Sequence, residues 1–237
     1  LKLSGAVFGE KLGWERANWF ANTDEEPRDI HTFGLPNWHS AVAREHKAAR
    51  EAAVLFDQTS FAKYILTGPD AEQALQWIAS NRVDKPVGSI IYTQMLNDNG
   101  GIECDLTCVR TKFNEYYITT GTGYATHDFN WISRNIPSEL NAQLIDVTSS
   151  NAVLSLFGPK ARDILQVVTV NDVSDNGHPF GSARQISIAG CLVLAMRITY
   201  VGELGWELHF PVEYAQTVYN KLIEAGSPLG LRNAGYR

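Results

Sequence analysis

Asp57-Gln58-Thr59-Ser60, an apolar run from Ala62 to Thr67, and then Gly68-Pro69-Asp70-Ala71-Glu72-Gln73-Ala74-Leu75 form the stretch that decides the fold, because it occurs twice. Asp146-Val147-Thr148-Ser149 opens a second apolar run. That run leads to Gly158-Pro159-Lys160-Ala161-Arg162-Asp163-Ile164-Leu165. In each copy the proline sets a tight turn and the Ala/Leu spacing opens an amphipathic helix; Asp70 is a good N-cap. Two independent Gly-Pro turns would explain the glycines and prolines. They would not explain the matched alanine, leucine and Asp-x-Thr-Ser as well. The spacing therefore predicts a duplication offset by about 90 residues, and hence an α+β protein of two related units.

Working outward, Val42, Glu45, His46, Ala49 and Ala53 recur at helical spacing, which predicts a helix from Asn37 to near Leu55. Further strands are predicted from Ile90 to Leu96, Ile102 to Arg110 and Glu115 to Thr120. The turn Asn97-Asp98-Asn99-Gly100-Gly101 joins the first two as a hairpin. Helices are predicted from Asp70 to about Asn81 and from Thr126 or Asp128 to Asn135. The second unit closes with strands at 184–188, 191–200 and Trp206 to Phe210, then a helix from Glu213 to Ala225. The first forty residues hold Phe8, Trp14, Trp19, Phe20, Phe33 and Trp38 with no clear period. They read as an irregular arm, with an exposed loop at 24–31.

Of the 237 residues, 44% are hydrophobic and 19% charged, which excludes a disordered chain. Apolar runs are short and no membrane span is expected. The net charge of −6 argues against nucleic-acid binding. Three cysteines cannot all pair and favour a reducing compartment, the bacterial cytoplasm or the mitochondrial matrix. The ends, Leu1 and Arg237, read as cuts in a longer polypeptide.

Two stretches carry candidate chemistry. On Ile102-Glu103-Cys104-Asp105-Leu106-Thr107-Cys108, alternation puts Ile102, Cys104, Leu106 and Cys108 on one, core-like face. Glu103, Asp105 and Thr107 fall on the other. A solvent-facing strand with scattered acids accounts for that spacing as well as a functional carboxylate pair does. In Tyr200-Val201-Gly202-Glu203-Leu204-Gly205-Trp206-Glu207-Leu208-His209-Phe210, aromatic walls and acids could line a small-molecule pocket, or simply pack as a hairpin. Cys104-x-x-x-Cys108 lacks a second ligand pair, so no metal is expected. Gly121-Thr122-Gly123 lacks the third glycine of a dinucleotide fingerprint, and there is no Walker sequence or nucleophile elbow.

Taken together, four segments resemble one family. They are Gly5-Ala6-Val7-Phe8-Gly9-Glu10-Lys11-Leu12-Gly13-Trp14-Glu15-Arg16; Tyr92-Thr93-x-Met95-Leu96-Asn97 with Gly100-Gly101-Ile102-Glu103-Cys104-Asp105-Leu106-Thr107; Tyr200 to Glu207; and Gly230-Leu231-Arg232-Asn233-Ala234-Gly235-Tyr236. The family is the folate-binding C-terminal half of sarcosine and dimethylglycine dehydrogenases, itself similar to the glycine-cleavage T protein, an aminomethyltransferase. The resemblance covers essentially the whole chain, and the first and last segments point to the dehydrogenase branch.

The resemblance implies a discontinuous first α+β domain, 1–62 with 147–237, and an inserted second one, 63–146. It implies a β-barrel beyond Arg237 and a flavin domain before Leu1, so FAD would belong to the full-length protein and not to this chain. It implies tetrahydrofolate as the cofactor, a methylated amine as the other small molecule, and the flavin domain of the same polypeptide as partner. Asp105 matches the family's catalytic aspartate, although Cys104 stands where T proteins often carry a further aspartate. Tyr92, Tyr200 and Glu207 match folate-pocket residues, and a further arginine would lie beyond Arg237. The implied reaction is attack of tetrahydrofolate on an iminium made by oxidative demethylation. Asp105 would orient the amine and take its proton. A lipoyl-dependent aminomethyltransferase and a non-catalytic regulatory subunit are the alternatives on the same fold.

Overall fold

A computed structural model describes residues 1–237. The chain opens with a hairpin, β1 (Ala6–Lys11) and β2 (Trp14–Phe20), where an irregular arm was expected. Two features hid its period. The register shifts between Val7 and Phe8, and both tip residues, Leu12 and Gly13, have positive φ. Trp19 is fully buried and its Nε1 donates to Asp29 Oδ1 at 2.7 Å. Helix α1 (His39–Glu51) stops short of Leu55, which belongs to strand β3 (Ala53–Asp57). Local propensity favours helix through this alanine-rich segment. Pairing of Val54 and Leu55 with Phe157 and Leu156 overrides it.

The first repeat follows as β4 (Ala62–Thr67), α2 (Ala71–Ile78), β5 (Ile90–Leu96), β6 (Ile102–Lys112), β7 (Glu115–Thr120) and α3 (Ala125–Asn135), then β8 (Gln143–Asp146). The second runs β9 (Asn151–Phe157), α4 (Ala161–Val168), β10 (Ala183–Ile188), β11 (Cys191–Met196), β12 (Gly205–Pro211), α5 (Ala215–Gly226) and β13 (Leu231–Asn233). The matched helices bury matched faces: Ala71, Ala74, Leu75 and Ile78 on α2, and Ala161, Ile164, Leu165 and Val168 on α4. Three elements are shorter than the sequence spacing predicts. α2 ends at Ile78, where Ala79 turns extended and bridges to Met95; β11 ends at Met196; α5 begins only after a single 3-10 turn. None of the helices is long and apolar enough to cross a membrane.

The two sheets have the orders β5-β6-β7-β4-β8 and β10-β11-β12-β9-β3-β13, so four strands of each repeat are arranged alike. All neighbours are antiparallel except β13, which runs parallel to β3. The outer partner of β4 and of β9 is exchanged. β3 immediately precedes β4 in the chain yet pairs with β9, and β8 precedes β9 yet pairs with β4. The chain changes sheets at Asp57-Gln-Thr-Ser and again at Asp146-Val-Thr-Ser, and the contacts there are reciprocal. The Thr59 and Thr148 amides donate to Asp57 Oδ1 and Asp146 Oδ1. Thr148 Oγ1 accepts from Lys63 N at 3.1 Å, and Thr59 Oγ1 accepts from Val153 N at 3.1 Å. Val147 N donates to Lys63 O and Gln58 N to Val153 O, each at 2.9 Å.

The repeated Gly-Pro turn belongs to the same device. Gly68 and Gly158 have φ of 135° and 132°, and a Cβ at either would press on the backbone entering the exchanged strand, Asn141 O or Ala52 O. At the other end of the sheets, Ala183 N donates to Gly88 O and Ile90 N to Gly181 O, with Ser89 bridging to Ser182. Helices cover the outer face of each sheet. Val109 and Tyr117 of one sheet pack with Ala183 and Met196 of the other between them.

Candidate functional site

Asp105 lies exposed on β6, opposite Gln94 of β5, whose Nε2 donates to Asp105 Oδ1 at 3.0 Å. The Tyr92 phenol lies on the same sheet face beside Asp105, and the neighbouring carboxylate holds its pKa above the ordinary value. Two residues singled out in the sequence thus meet on one sheet face, thirteen positions apart in the chain. The hairpin register makes the meeting possible, because Tyr92 sits opposite Thr107.

Glu103 does not join them. The ladder pairs Met95 with Cys104 and Leu96 with Ile102, which leaves Glu103 as the unpaired residue of a bulge. Its carboxylate accepts from Asn97 Nδ2 at 2.8 Å and lies 3.3 Å from His127 Nε2 of α3. The same bulge turns Ile102 outward, against the expectation that it is core; Cys104, Leu106 and Cys108 are buried as expected.

Sequence spacing missed the cluster behind this strand. Cys104, His127 and Asp128 bring ligand atoms within 4.8 Å of one another. Asp128 accepts from Thr120 Oγ1 at 2.6 Å and lies 3.0 Å from His127 Nδ1, and the bond with Asp128 raises the His127 pKa. Residues 104 and 127 meet only because α3 folds back over β6, which no short motif records.

Glu207 stands on β12 between Ser155 of β9 and Met196 of β11. Its Oε2 is 3.5 Å from Nε2 of buried His209, two residues on along the same strand face. The His209 Nδ1 is 3.2 Å from the Tyr117 hydroxyl, across the gap between the sheets. Burial drives the Tyr117 phenol pKa up, and the nearby Glu207 charge adds to it. Tyr236 is affected in the same way and donates to Asp57 O at 2.8 Å.

Tyr200 lies on the loop between β11 and β12, 83% exposed, and borders a cavity of about 640 Å³. That volume suits a small organic ligand. Phe56, Gln58, Phe61 and Tyr236 line it, and Arg16 lies over the Tyr236 ring at 4.0 Å. Tyr92, Asp105 and Glu207 are not on its wall. Glu207 pairs across the ladder with Ser155, whose hydroxyl donates to the cavity-lining Gln58 Oε1 at 2.5 Å. Buried Glu45 braces the cavity by accepting from Phe20 N at 2.8 Å and Gly235 N at 2.9 Å, and burial raises its pKa. Gln58 and Tyr236 stand inside the repeat and family segments and Glu45 in the helical period, but nothing in the sequence singled out any of the three as a site residue.

A duplicated α+β unit with exchanged strands, in which Glu207 and His209 of one sheet meet Tyr117 of the other, defines an aminomethyltransferase-like domain. The chain belongs to the GCVT N-terminal domain family, which matches residues 1–237. It is 38% identical over 232 residues to 4-methylaminobutanoate oxidase (formaldehyde-forming) of Paenarthrobacter nicotinovorans, covering 98% of this chain and 28% of that protein. It is 37% identical over 271 residues to human mitochondrial sarcosine dehydrogenase, covering 98% and 30%. The crystal structure of the glycine cleavage system aminomethyltransferase T from Bartonella henselae superposes with a TM-score of 0.79 at 22% identity, covering 99% of this chain and 57% of that one. That likeness fixes the fold. The chain spans less than a third of the length of the two curated relatives.

Proposed function

We propose that this chain is the tetrahydrofolate-dependent part of an enzyme that oxidatively demethylates an N-methyl glycine, sarcosine or dimethylglycine. A flavin domain elsewhere in the polypeptide would supply the iminium, and 5,10-methylenetetrahydrofolate would be the product. The observation that carries the reading is the Tyr92–Asp105 pair. Asp105 is an exposed carboxylate held by the Gln94 amide, with the Tyr92 phenol beside it on the same sheet face. Tetrahydrofolate, when bound, supplies the nucleophilic amine. Asp105 orients that amine, stabilises the positive centre beside it and takes its proton. Glu207 accepts from the pterin N–H groups, and Tyr92 and Tyr200 supply aromatic walls. In domain terms, 1–62 with 147–237 forms the discontinuous unit and 63–146 the inserted one. The proposed compartment is the bacterial cytoplasm or the mitochondrial matrix.

The test is calorimetric titration of the full-length polypeptide with reduced folate, followed by turnover. Glu207→Ala removes a charged acceptor and should weaken binding by about 10- to 150-fold. Asp105→Asn should bind nearly as well and lose roughly 10²- to 10⁴-fold in methylene transfer. A full-length protein that binds no folate refutes the reading and promotes the regulatory-subunit alternative. Transfer from a lipoyl-bound aminomethyl group would promote the aminomethyltransferase alternative.

A further inference from the structure

His209 is the singled-out residue that the reaction above does not use. Its side chain is 4% exposed, yet Nε2 has no hydrogen-bond partner within ordinary range. In the sheet, its neighbours are Val153 on β9 and Leu194 on β11, neither of which offers a polar side chain. Nδ1 faces the Tyr117 hydroxyl at 3.2 Å, with the two rings edge to face at 88°. Nε2 faces Glu207 Oε2 at 3.5 Å. A buried polar nitrogen calls for a partner, and the Glu207 carboxylate is the polar group that Nε2 faces.

The protons follow from these partners. The Tyr117 phenol is deeply buried and its pKa is pushed up, so it keeps its proton and can donate to Nδ1. The imidazole then carries its hydrogen on Nε2, which is the nitrogen aimed at the carboxylate. The opposite tautomer would set a nitrogen lone pair against Oε2 and leave two acceptors facing each other. A carboxylate has about four lone-pair sites. One on Oε2 can be taken by His209 while the outer ones remain free.

We propose that His209 is a positioning residue: with Tyr117 fixing its tautomer, it donates from Nε2 to Glu207 and fixes that carboxylate as an acceptor for a ligand bearing two adjacent N–H donors, as a 2-amino-4-oxopteridine does. This rests on the folate reading. The 3.5 Å gap closes to an ordinary hydrogen bond when the ligand draws Glu207 into line, as site hydrogen bonds commonly do on binding. The class of ligand follows from the acceptor. Analogues that present a carbonyl in place of the exocyclic amine meet like against like and are rejected.

The variants separate donation from packing. Glutamine places an amide N–H near the position of Nε2, whereas asparagine reaches only the position of Nδ1. In the full-length polypeptide, His209→Asn and His209→Leu should weaken tetrahydrofolate binding by about tenfold or more, while His209→Gln stays within about threefold of wild type. p-Aminobenzoylglutamate, which lacks the pterin, should bind all of them alike. Equal binding by the Gln, Asn and Leu variants overturns the inference. A second measurement does not need folate. In a ¹⁵N-histidine spectrum of the same protein, with the signal assigned through its loss in His209→Gln, Nε2 should be protonated and Nδ1 bare. Tyr117→Phe should disturb that pattern. A proton on Nδ1 alone overturns the inference. A wild-type tautomer as stated, with Glu207→Ala binding folate as tightly as wild type, retains the His209 geometry and sinks the pterin role of Glu207 instead.

Discussion

Replacing Thr148 by valine tests whether side-chain hydroxyls lock the two repeats together. The Lys63 amide lies in a fully buried residue, and its acceptor is Thr148 Oγ1 at 3.1 Å. The Lys63 carbonyl points the same way and is occupied by Val147 N, so no neighbouring strand offers the amide another acceptor. Valine keeps the volume and removes the oxygen. The cost is that of an unsatisfied buried donor, about 1–3 kcal/mol. For a chain of this size a kcal/mol corresponds to roughly 2–4 °C, so Tm should fall by roughly 2–12 °C. Thr148→Ser keeps the oxygen and should cost less. Thr59→Val should behave like Thr148→Val, because Thr59 Oγ1 accepts from Val153 N with the same 3.1 Å geometry. Urea unfolding followed by far-UV circular dichroism measures all three. In the double variant, a departure from additivity beyond about 0.5 kcal/mol would show that the two crossings act as one unit. If both valine variants lie within about 0.5 kcal/mol of wild type, the hydroxyls are not the lock and the backbone pairing suffices.

Two further perturbations bear on the same junction. Lys63 is buried with its ammonium donating to Thr59 O and Asn151 O, and burial lowers its pKa from 10.5 to about 8 against the opposing pull of Asp57 and Asp146. Between those values the unfolded chain binds the extra proton, so the penalty from Lys63 is full below pH 8 and fades towards pH 10.5. The stability of wild type relative to Lys63→Met should therefore rise across that window; a flat difference in urea midpoint would contradict the burial. Gly158→Ala places Cβ 2.5 Å from Ala52 O at a φ of +132° and should cost roughly 2–4 kcal/mol by thermal unfolding. Gly190→Ala has a φ of +78° and open space around it, and should cost only about 1–2 kcal/mol. Equal losses would mean that close approach to the exchanged strand is not what requires the glycine.

The elements read most directly from the sequence are those whose signal is local. The faces of α2 and α4 follow from apolar residues three and four apart, and the β5–β6 hairpin follows from Asn97 to Gly101 between two alternating runs. The β1–β2 hairpin was not legible, because a register shift breaks its alternation at Val7. The α1 boundary was not legible either, because Ala52 and Ala53 suit a helix until a strand about 100 residues away claims Val54 and Leu55. In the candidate site, the family motifs picked out Asp105 and Tyr92, and the structure joins them. Their spacing could not separate Asp105 from Glu103, since alternation puts both on one face and only the bulge parts them. His209 was visible as an alternating neighbour of Glu207, whereas its partner Tyr117 belongs to the other repeat.

By itself, the sequence determined that the protein is built from one α+β unit used twice, with a Gly-Pro turn in each copy, and which helix faces are buried. These properties are written in residues within one or two turns of each other, where backbone preference and apolar period act directly. Only the tertiary structure decided that β3 and β8 are exchanged between the sheets, and that Tyr117, His209 and Glu207 line up in the gap between them. An edge strand chooses its partner by non-local pairing that competes with its own helix or its own repeat, and the repeat pattern is the same whichever sheet it joins. At each crossing a threonine hydroxyl accepts from the strand arriving from the other unit and a glycine leaves room for it.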